Sequence, residues 1–305
     1  MVQREDHIPA MSIDRSDIAA RARNIVTELS TRYPSRNGLN PPALHGAAAY
    51  VEQEFRALGY RVESHHYPSD GVLVRNIAVV KQGQEPSRPC LVLGAHYDSV
   101  IGTPGADDNA SGIAAVLELA RLLKDQPNRR TIHFVAFTHE EPPYFYTRHM
   151  GSRHYAQELK EQNVTVHAMF SLEMLGYAGE RMPQSYPFPL LRQLGGYPRY
   201  GNYLALVGNL RSRHLLARVK KLMRTHCSVG VESLCAPGFL PPVFLSDHAS
   251  FWRHGYPALL VTDTAFLRNP HYHLGSDMAD TLNYGFLADV VCGLTRTIRA
   301  MDQMD

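Results

Sequence analysis

No stretch of this chain approaches the ~18 consecutive apolar residues that a membrane-spanning helix needs. The N-terminus, MVQREDHIPAMSIDRSD, lacks the apolar core of about 7–15 residues that marks an export signal. A cytoplasmic location is the expectation. Cysteine is scarce and scattered: Cys90, Cys227, Cys235 and Cys292 are too few for a disulfide framework, and they read as reduced thiols. A Cys227–Cys235 loop disulfide is the minor alternative, tied to export. Charge of one sign is missing too. The 31 basic residues balance 29 acidic ones to a net +2, so nothing calls for nucleic acid or an anionic membrane as a partner. Tryptophan occurs once, at Trp252. No internal repeat and no long linker interrupts the chain. Residues 14–305 therefore read as one domain behind a loose arm over 1–13.

The stretch that organises the rest is Leu91–Gly112, LVLGAHYDSVIGTPGADDNASG. It opens on Leu91-Val92-Leu93, a buried strand. That strand ends in His96-Tyr97-Asp98, and Asp108 follows ten residues later inside a Gly/Pro/Asp/Asn/Ser loop. A small-residue helix is expected from Ala110 to about Leu123. Open α/β sheets bind their ligands at the C-terminal ends of strands, which is where this His and these carboxylates stand.

Around it the pattern predicts helices and strands in alternation. Ile18, Ala22, Ile25 and Leu29 recur at helical spacing behind Asp14 or Ser16 as a cap. Pro41 and Pro42 fit the first turn of a second helix, which Gly59 stops. Arg61–Tyr67 and Val72–Lys81 read as strands joined by a hairpin turn at Pro68–Gly71. Thr131–Phe137 and Val166–Leu172 are further strands, with a helix near Ser152–Lys160 between them, the order of parallel crossover units. Residues 174–209 show little periodicity. A helix over Ser212 to about His226, a Pro-rich loop over Ala236–Pro242, a short helix with Phe251 and Trp252, a strand over Pro257–Thr262 and a closing helix through Phe286, Val290, Leu294 and Ile298 complete the chain.

Four strand ends then carry chemistry: His96 with Asp98, Glu140 with Glu141, Glu173, and His273 on the loop after the last strand. Parallel strands bring these ends to one edge. Clustered carboxylates repel, and buried ones cost several kcal/mol each unless paired. A divalent cation removes that cost. Imidazole and carboxylate without thiolate suit Zn²⁺, with Mn²⁺ or Co²⁺ as substitutes.

In its motifs the chain resembles the zinc aminopeptidases of the M28 (aminopeptidase Y/S) type, from about Leu91 to Thr281. The matching pieces are His96-Tyr97-Asp98-Ser99, Gly105–Gly112, Glu140-Glu141, Ser171-Leu172-Glu173, Ser246–Ser250 and Asn269–His273. The resemblance implies a phosphorylase/hydrolase-like α/β fold: a three-layer sandwich with a mixed, largely parallel central sheet and helices on both faces. It implies two zinc ions. His96 and Glu173 would be terminal ligands of one, Glu141 and His273 of the other, with Asp108 bridging. It makes Glu140 the general base and Asp98 the partner that orients His96. The activity implied is a metallo-exopeptidase acting on peptide substrates, most simply an aminopeptidase. A carboxypeptidase, a one-zinc acyltransferase of the glutaminyl-cyclase type and a non-catalytic binding module share the fold. The intact Asp108–Gly112 segment and the single Trp252 count against the cyclase.

Two departures stand out. Many relatives carry Asp where this chain has Glu173, and Pro142–Met150 intervenes where they turn directly after the Glu pair. Tyr144, Tyr177 and Tyr272 are candidate oxyanion donors among which the sequence does not choose. His139 has no assigned place. Asp247 reads as a helix N-cap, His248 as a structural hydrogen-bonding partner, and Asp277 and Asp280 as turn or cap residues.

Overall fold

The computed structural model describes residues 13–186, 192–193 and 195–304. The arm expected over 1–13 lies, Ile13 apart, outside the described residues. Period-two alternation decides the centre of the molecule. In strand β3 (Cys90–His96), Leu91, Leu93 and Ala95 join one apolar cluster, while Cys90 and Val92 join another on the opposite face. Strand β4 (Ile132–Phe137) divides the same way, Ile132, Phe134 and Ala136 against Val135 and Phe137. Both faces are covered, so these strands read as unbroken apolar runs. Each fully buried Leu, Ile or Phe contributes roughly 1.5–3 kcal/mol.

The larger cluster packs helices α1 (Arg15–Arg32), α2 (Pro41–Ala57) and α3 (Gly112–Leu123) on one face of the sheet. Helix α4 (Gly151–Glu161) covers the other face with Tyr155, Ala156 and Leu159. Asp14 caps α1 by accepting from the amides of Ser16 and Asp17, and prolines stand in the first turn of α2. Strands β1 (Val62–Ser69) and β2 (Val72–Lys81) form an antiparallel hairpin. Its turn is Asp70-Gly71, both residues at positive φ, the requirement of a tight type I′ turn.

Strand β5 (Val166–Glu173) follows α4. Beyond it come β6 (Tyr203–Asn209), α5 (Arg213–His226), β7 (Gly230–Ala236), α6 (His248–Arg253), β8 (Ala258–Thr262) and α7 (Tyr284–Gln303). Helices α5 and α7 belong to the larger cluster through Leu216, Val219, Leu287 and Val290; Phe251 of α6 joins the smaller one. The eight strands form one mixed sheet in the order β1-β2-β4-β3-β5-β8-β6-β7. β4, β3, β5 and β8 run parallel at its centre. The chain leaves β3 for β4 on one side, then crosses back to β5 on the other. Right-handed crossovers in opposite directions put α3 and α4 on opposite faces, and a crevice opens where the direction switches.

The sheet is thus the α/β sandwich expected, with two additions and one shift. β6 falls in a stretch read as aperiodic, and β7 precedes the Pro-rich loop; neither was expected. The helix expected from Ala110 starts at Gly112, because Asp108 and Asn109 take non-helical φ/ψ in the turn before it. All four cysteines are free: Cys227 lies against the Asp289 carbonyl and Cys235 against that of Asn209, so the loop disulfide is not formed. No helix among the described residues is long and apolar enough to cross a membrane.

Candidate metal centre

His96 ends β3 and Glu173 ends β5, so the sheet itself sets their separation. Glu140 and Glu141 stand three and four residues past β4, Asp108 lies in the turn into α3, and His273 lies on the loop between β8 and α7. All seven residues singled out in the sequence come together here. His96 Nε2 lies 3.2 Å from Glu173 Oε2, 3.4 Å from Asp108 Oδ1 and 3.8 Å from Glu140 Oε2. His273 Nε2 lies 3.3 Å from Asp108 Oδ2 and 3.4 Å from Glu141 Oε2. The two oxygens of Asp108 therefore face different imidazoles. His96, Asp108 and Glu173 form one group with ligand-competent atoms within 4.8 Å of one another, Asp108, Glu141 and His273 form a second, and His96, Glu140 and Glu141 meet the same criterion. His96 Nδ1 sits 3.2 Å from the Asp98 carbonyl and 3.6 Å from Asp98 Oδ1, which leaves Nε2 to the cluster.

The electrostatics are those of a site built around positive charge. Burial, then the charges of Glu173 and Glu141, holds the Glu140 carboxyl well above its ordinary range against the pull of His96. Burial and Asp108 push Glu141 up to about 8. Burial raises Glu173. Burial acts to raise Asp108 as well, but the two imidazoles facing it hold it low. Burial acts to lower both histidines, yet the carboxylates around them raise His96 well above its ordinary value and His273 to about 10. Glu141 Oε1 is buried with no hydrogen-bond partner. Four carboxylates and two imidazoles with an orphaned buried oxygen fit a divalent cation, and the imidazoles among them suit zinc.

Several groups hold this arrangement. Asp98 accepts the amide hydrogens of Glu140 at 3.2 Å and Glu141 at 3.0 Å, so it fixes the Glu pair as well as His96. Ser246 donates to Glu173 Oε2 at 2.7 Å, and Asn109 Nδ2 donates to the Leu172 carbonyl. Asp107, the neighbour that sequence alone confuses with Asp108, faces away. It accepts from the Gly176 amide and from Asn269 Nδ2. Arg36, wholly buried between α1 and α2, donates to the carbonyls of Tyr97, Pro104 and Gly105, each at 2.6 Å. Gly105 sits at φ 62°, and a Cβ there would lie 2.5 Å from the Asp108 carbonyl oxygen, so glycine is required.

Some expectations need correction. Asp247 caps nothing: its φ/ψ is already helical, and α6 has no side-chain cap. Its carboxyl is fully buried and pushed up to about 7 by that burial. Asp277 is more than a turn residue, because it accepts the amides of Asp107 at 2.9 Å and Asp108 at 3.1 Å. His139 stacks on Tyr144 with ring centroids 3.8 Å apart, and His248 bonds the Val243 carbonyl, the structural part expected of it. Of the three tyrosines, Tyr144 is taken up by that stack, Tyr177 meets His271 edge-on, and Tyr272 stacks on His273 at 3.7 Å. In the Pro142–Met150 insertion, Tyr146 is 42% exposed and lies between Phe244 and the Arg253 guanidinium. Arg36 was not anticipated, and Asn109 and Ser246 stood in matching motifs with no role assigned to them. The buried position of an arginine between two helices leaves no periodic signal.

Residues 76–295 match peptidase family M28. The uncharacterized protein YfbL of Escherichia coli K12 is 40% identical over 268 residues, which are 85% of this chain and 81% of YfbL. Aminopeptidase YwaD of Bacillus subtilis is 38% identical over 114 residues, 37% of this chain and only 24% of YwaD. Among solved structures, BSAP, a zinc aminopeptidase from Bacillus subtilis, superposes with a TM-score of 0.73 at 16% identity, covering 93% of this chain and 95% of that one. A glutaminyl cyclase from Bacteroides thetaiotaomicron gives 0.67 at 17% identity, over 92% and 97%. At these identities the two structures share the fold. The family match spans well over half the chain and covers every residue of the carboxylate–imidazole cluster, so this protein belongs to peptidase family M28 and is a peptide hydrolase.

Proposed function

We propose that the protein is a two-zinc aminopeptidase, with His96, Glu173 and Asp108 holding one ion and Asp108, Glu141 and His273 the other. The observation that carries this reading is Asp108, whose two oxygens address two histidines, each paired with its own glutamate. Zinc, when bound, supplies Lewis acidity that brings the pKa of water toward neutral and polarises a carbonyl.

The chain's own groups do the rest. Glu140 borders the cluster, belongs to neither ligand set in this reading, and has its proton affinity raised by burial. It takes the proton of the attacking water and returns it to the departing amine. Asp98 keeps Glu140 in place through its amide. Tyr272, whose ring stacks on His273, is the tyrosine assigned to the oxygen that gains charge as the carbonyl is attacked.

The choice of the amino end rests on charge. The site is crowded with carboxylates that suit a terminal ammonium. Three arginines near the site's segments are engaged: Arg36 with three carbonyls, Arg268 with Gln184 and the Tyr203 carbonyl, Arg253 over Tyr146. A carboxypeptidase needs a free cation for the terminal carboxylate. An apolar cavity of about 110 Å³ beside Glu173, walled by Tyr186, Tyr203, Val207, Leu260 and Phe266, suits a bulky apolar N-terminal side chain. Acyl transfer of the cyclase type has less support. Trp252 bonds the Ala258 carbonyl and packs on His248, outside the lining of that cavity.

One peptide in three forms tests the assignment: free, N-acetylated and C-amidated. Cleavage of the free and amidated forms with loss on acetylation is expected. Cleavage that survives acetylation and is lost on amidation would move recognition to the carboxyl end and leave the metal site standing.

A further inference from the structure

The second group of ligands is the less anchored. His96 and Glu173 are strand residues, whereas His273 lies on a loop, at φ 59° and with a side chain 32% exposed. Asp108 also lies outside regular helix. What fixes the His273 loop against the Asp108 turn is the buried carboxylate of Asp277, four residues after His273. Its Oδ1 accepts the Asp107 amide at 2.9 Å and its Oδ2 the Asp108 amide at 3.1 Å, while its backbone carbonyl accepts from Ala106 at 3.2 Å. Three successive amides of the turn therefore end on one residue of the other loop. Asn269, on the same loop as His273, adds a bond at 2.8 Å to Asp107 Oδ2. From the opposite side Arg36 takes the carbonyls of Pro104 and Gly105. A buried carboxyl group on the amides and a buried guanidinium on the carbonyls hold the segment from 104 to 108 in one register.

From this arrangement we infer that Asp277 is a positioning residue for the second metal site, selective for the Asp108–Glu141–His273 group over the His96–Asp108–Glu173 group. The inference rests on the two-zinc reading. Without the Asp277 carboxyl, the His273 loop and the Asp108 turn lose two of the bonds that join them and keep those of Asn269 and of the residue-277 carbonyl. His96 and Glu173 keep theirs in the sheet, and Glu173 keeps its bond from Ser246. Groups that orient metal ligands are worth roughly 10–100-fold in metal affinity.

The test uses the full chain as wild type, Asp277→Asn and Asp277→Ala. Each is dialysed against a series of buffered free zinc concentrations, and bound zinc is counted by elemental analysis. The wild type is expected to bind two ions. Both variants are expected to fill the first site at the wild-type zinc concentration and the second only at a concentration about 10–100-fold higher. Asparagine retains one acceptor and is expected at the low end of that range. Melting of the metal-free proteins runs in parallel. A merely structural role would lower the melting temperature and leave both zinc midpoints unmoved, and that result overturns the inference. Equal weakening of both sites overturns it as well. A wild type that binds no zinc, or one ion, removes the two-zinc reading instead, which separates the two failures. If neither variant folds, hydrogen exchange on the wild type decides. The amides of Asp107 and Asp108 are expected to be as protected as those of β3 in the metal-free protein, and exchange at the rate of exposed loops overturns the clamp.

Discussion

Removing the metal should change the pH dependence of stability as well as its size. Without a cation, the cluster settles its charge by retaining protons. Glu141 holds its proton to about 8 and His273 to about 10, against about 4.3 and 6.5 in an unfolded chain. Between those limits the folded form binds more protons than the unfolded one. The contribution of both groups to stability is fully present at low pH and is lost as pH rises through neutrality toward 10. Zinc binding runs the other way, since it needs the same groups deprotonated and so strengthens with pH. The gap in melting temperature between zinc-loaded and chelated protein should therefore widen from pH 6 to pH 9. A ligand at 1,000 times its Kd stabilises by ~4.1 kcal/mol. The unfolding entropy near 60 °C is about 2.1 cal/mol/K per residue, or roughly 0.64 kcal/mol/K for a chain of 305 residues. One occupied site then raises the melting temperature by ~6 °C and two by ~13 °C. Scanning calorimetry in zinc buffer and in chelator, at several pH values, measures both quantities. Melting that ignores the chelator, or a gap that stays constant across pH, refutes the reasoning.

Glu140→Gln should lower kcat by about 10²–10⁴-fold with zinc retained. Glu141→Ala should lose zinc together with activity; the opposite pattern in elemental analysis of the two variants would exchange their roles. Val207→Phe fills the apolar cavity, and kcat/KM for leucine-type relative to alanine-type substrates should fall roughly 10–200-fold; an unchanged ratio would place the substrate side chain elsewhere. Arg36→Met leaves three carbonyls without their donor, two of them buried, at about 1–3 kcal/mol for each buried one, so thermal melts should show a drop of at least ~3 °C, and an unshifted melt would mean that water or neighbouring groups replace the guanidinium.

The centre of the fold was legible because burial on both faces leaves a strong signal. Leu91–Ala95 and Ile132–Phe137 are nearly continuous apolar runs, and the helices between strands repeat at their own period. β6 and β7 lay outside that signal. Tyr203–Asn209 follows a segment rich in Gly, Pro and Tyr that hides where a strand begins, and Gly230–Ala236 is an edge strand with six of its seven residues only half-buried or exposed. An edge strand with one paired side needs no apolar run, so its pattern does not separate it from a loop. The start of α3 was misplaced for a related reason. Small residues from Ala110 onward suit a helix, but Asp108 and Asn109 must turn out of helical φ/ψ for Asp108 to reach both histidines.

The residues now proposed as ligands and those that hold them differ in how they can be read. His96, Glu173 and the Glu140–Glu141 pair stand at or just past the ends of recognisable strands, so topology alone brings them to one edge. Asp277 and Arg36 act on backbone amides and carbonyls, and a backbone group looks the same in every residue. Nothing in the identity of Gly105 or Asp107 announces that its carbonyl or amide ends on a side chain 69 or 170 positions away. Asp277 was read as a turn residue because Asp is common in turns, and its bonds across the site to the amides of Asp107 and Asp108 are visible only in three dimensions. The same holds for Asp98. Its place beside His96 was legible from two residues' separation, while its bonds to the amides of Glu140 and Glu141 were not. A cluster of carboxylates that repel one another keeps its shape only if its backbone is tied down from outside. The positions that do the tying are therefore where substitutions should alter metal affinity without touching a ligand.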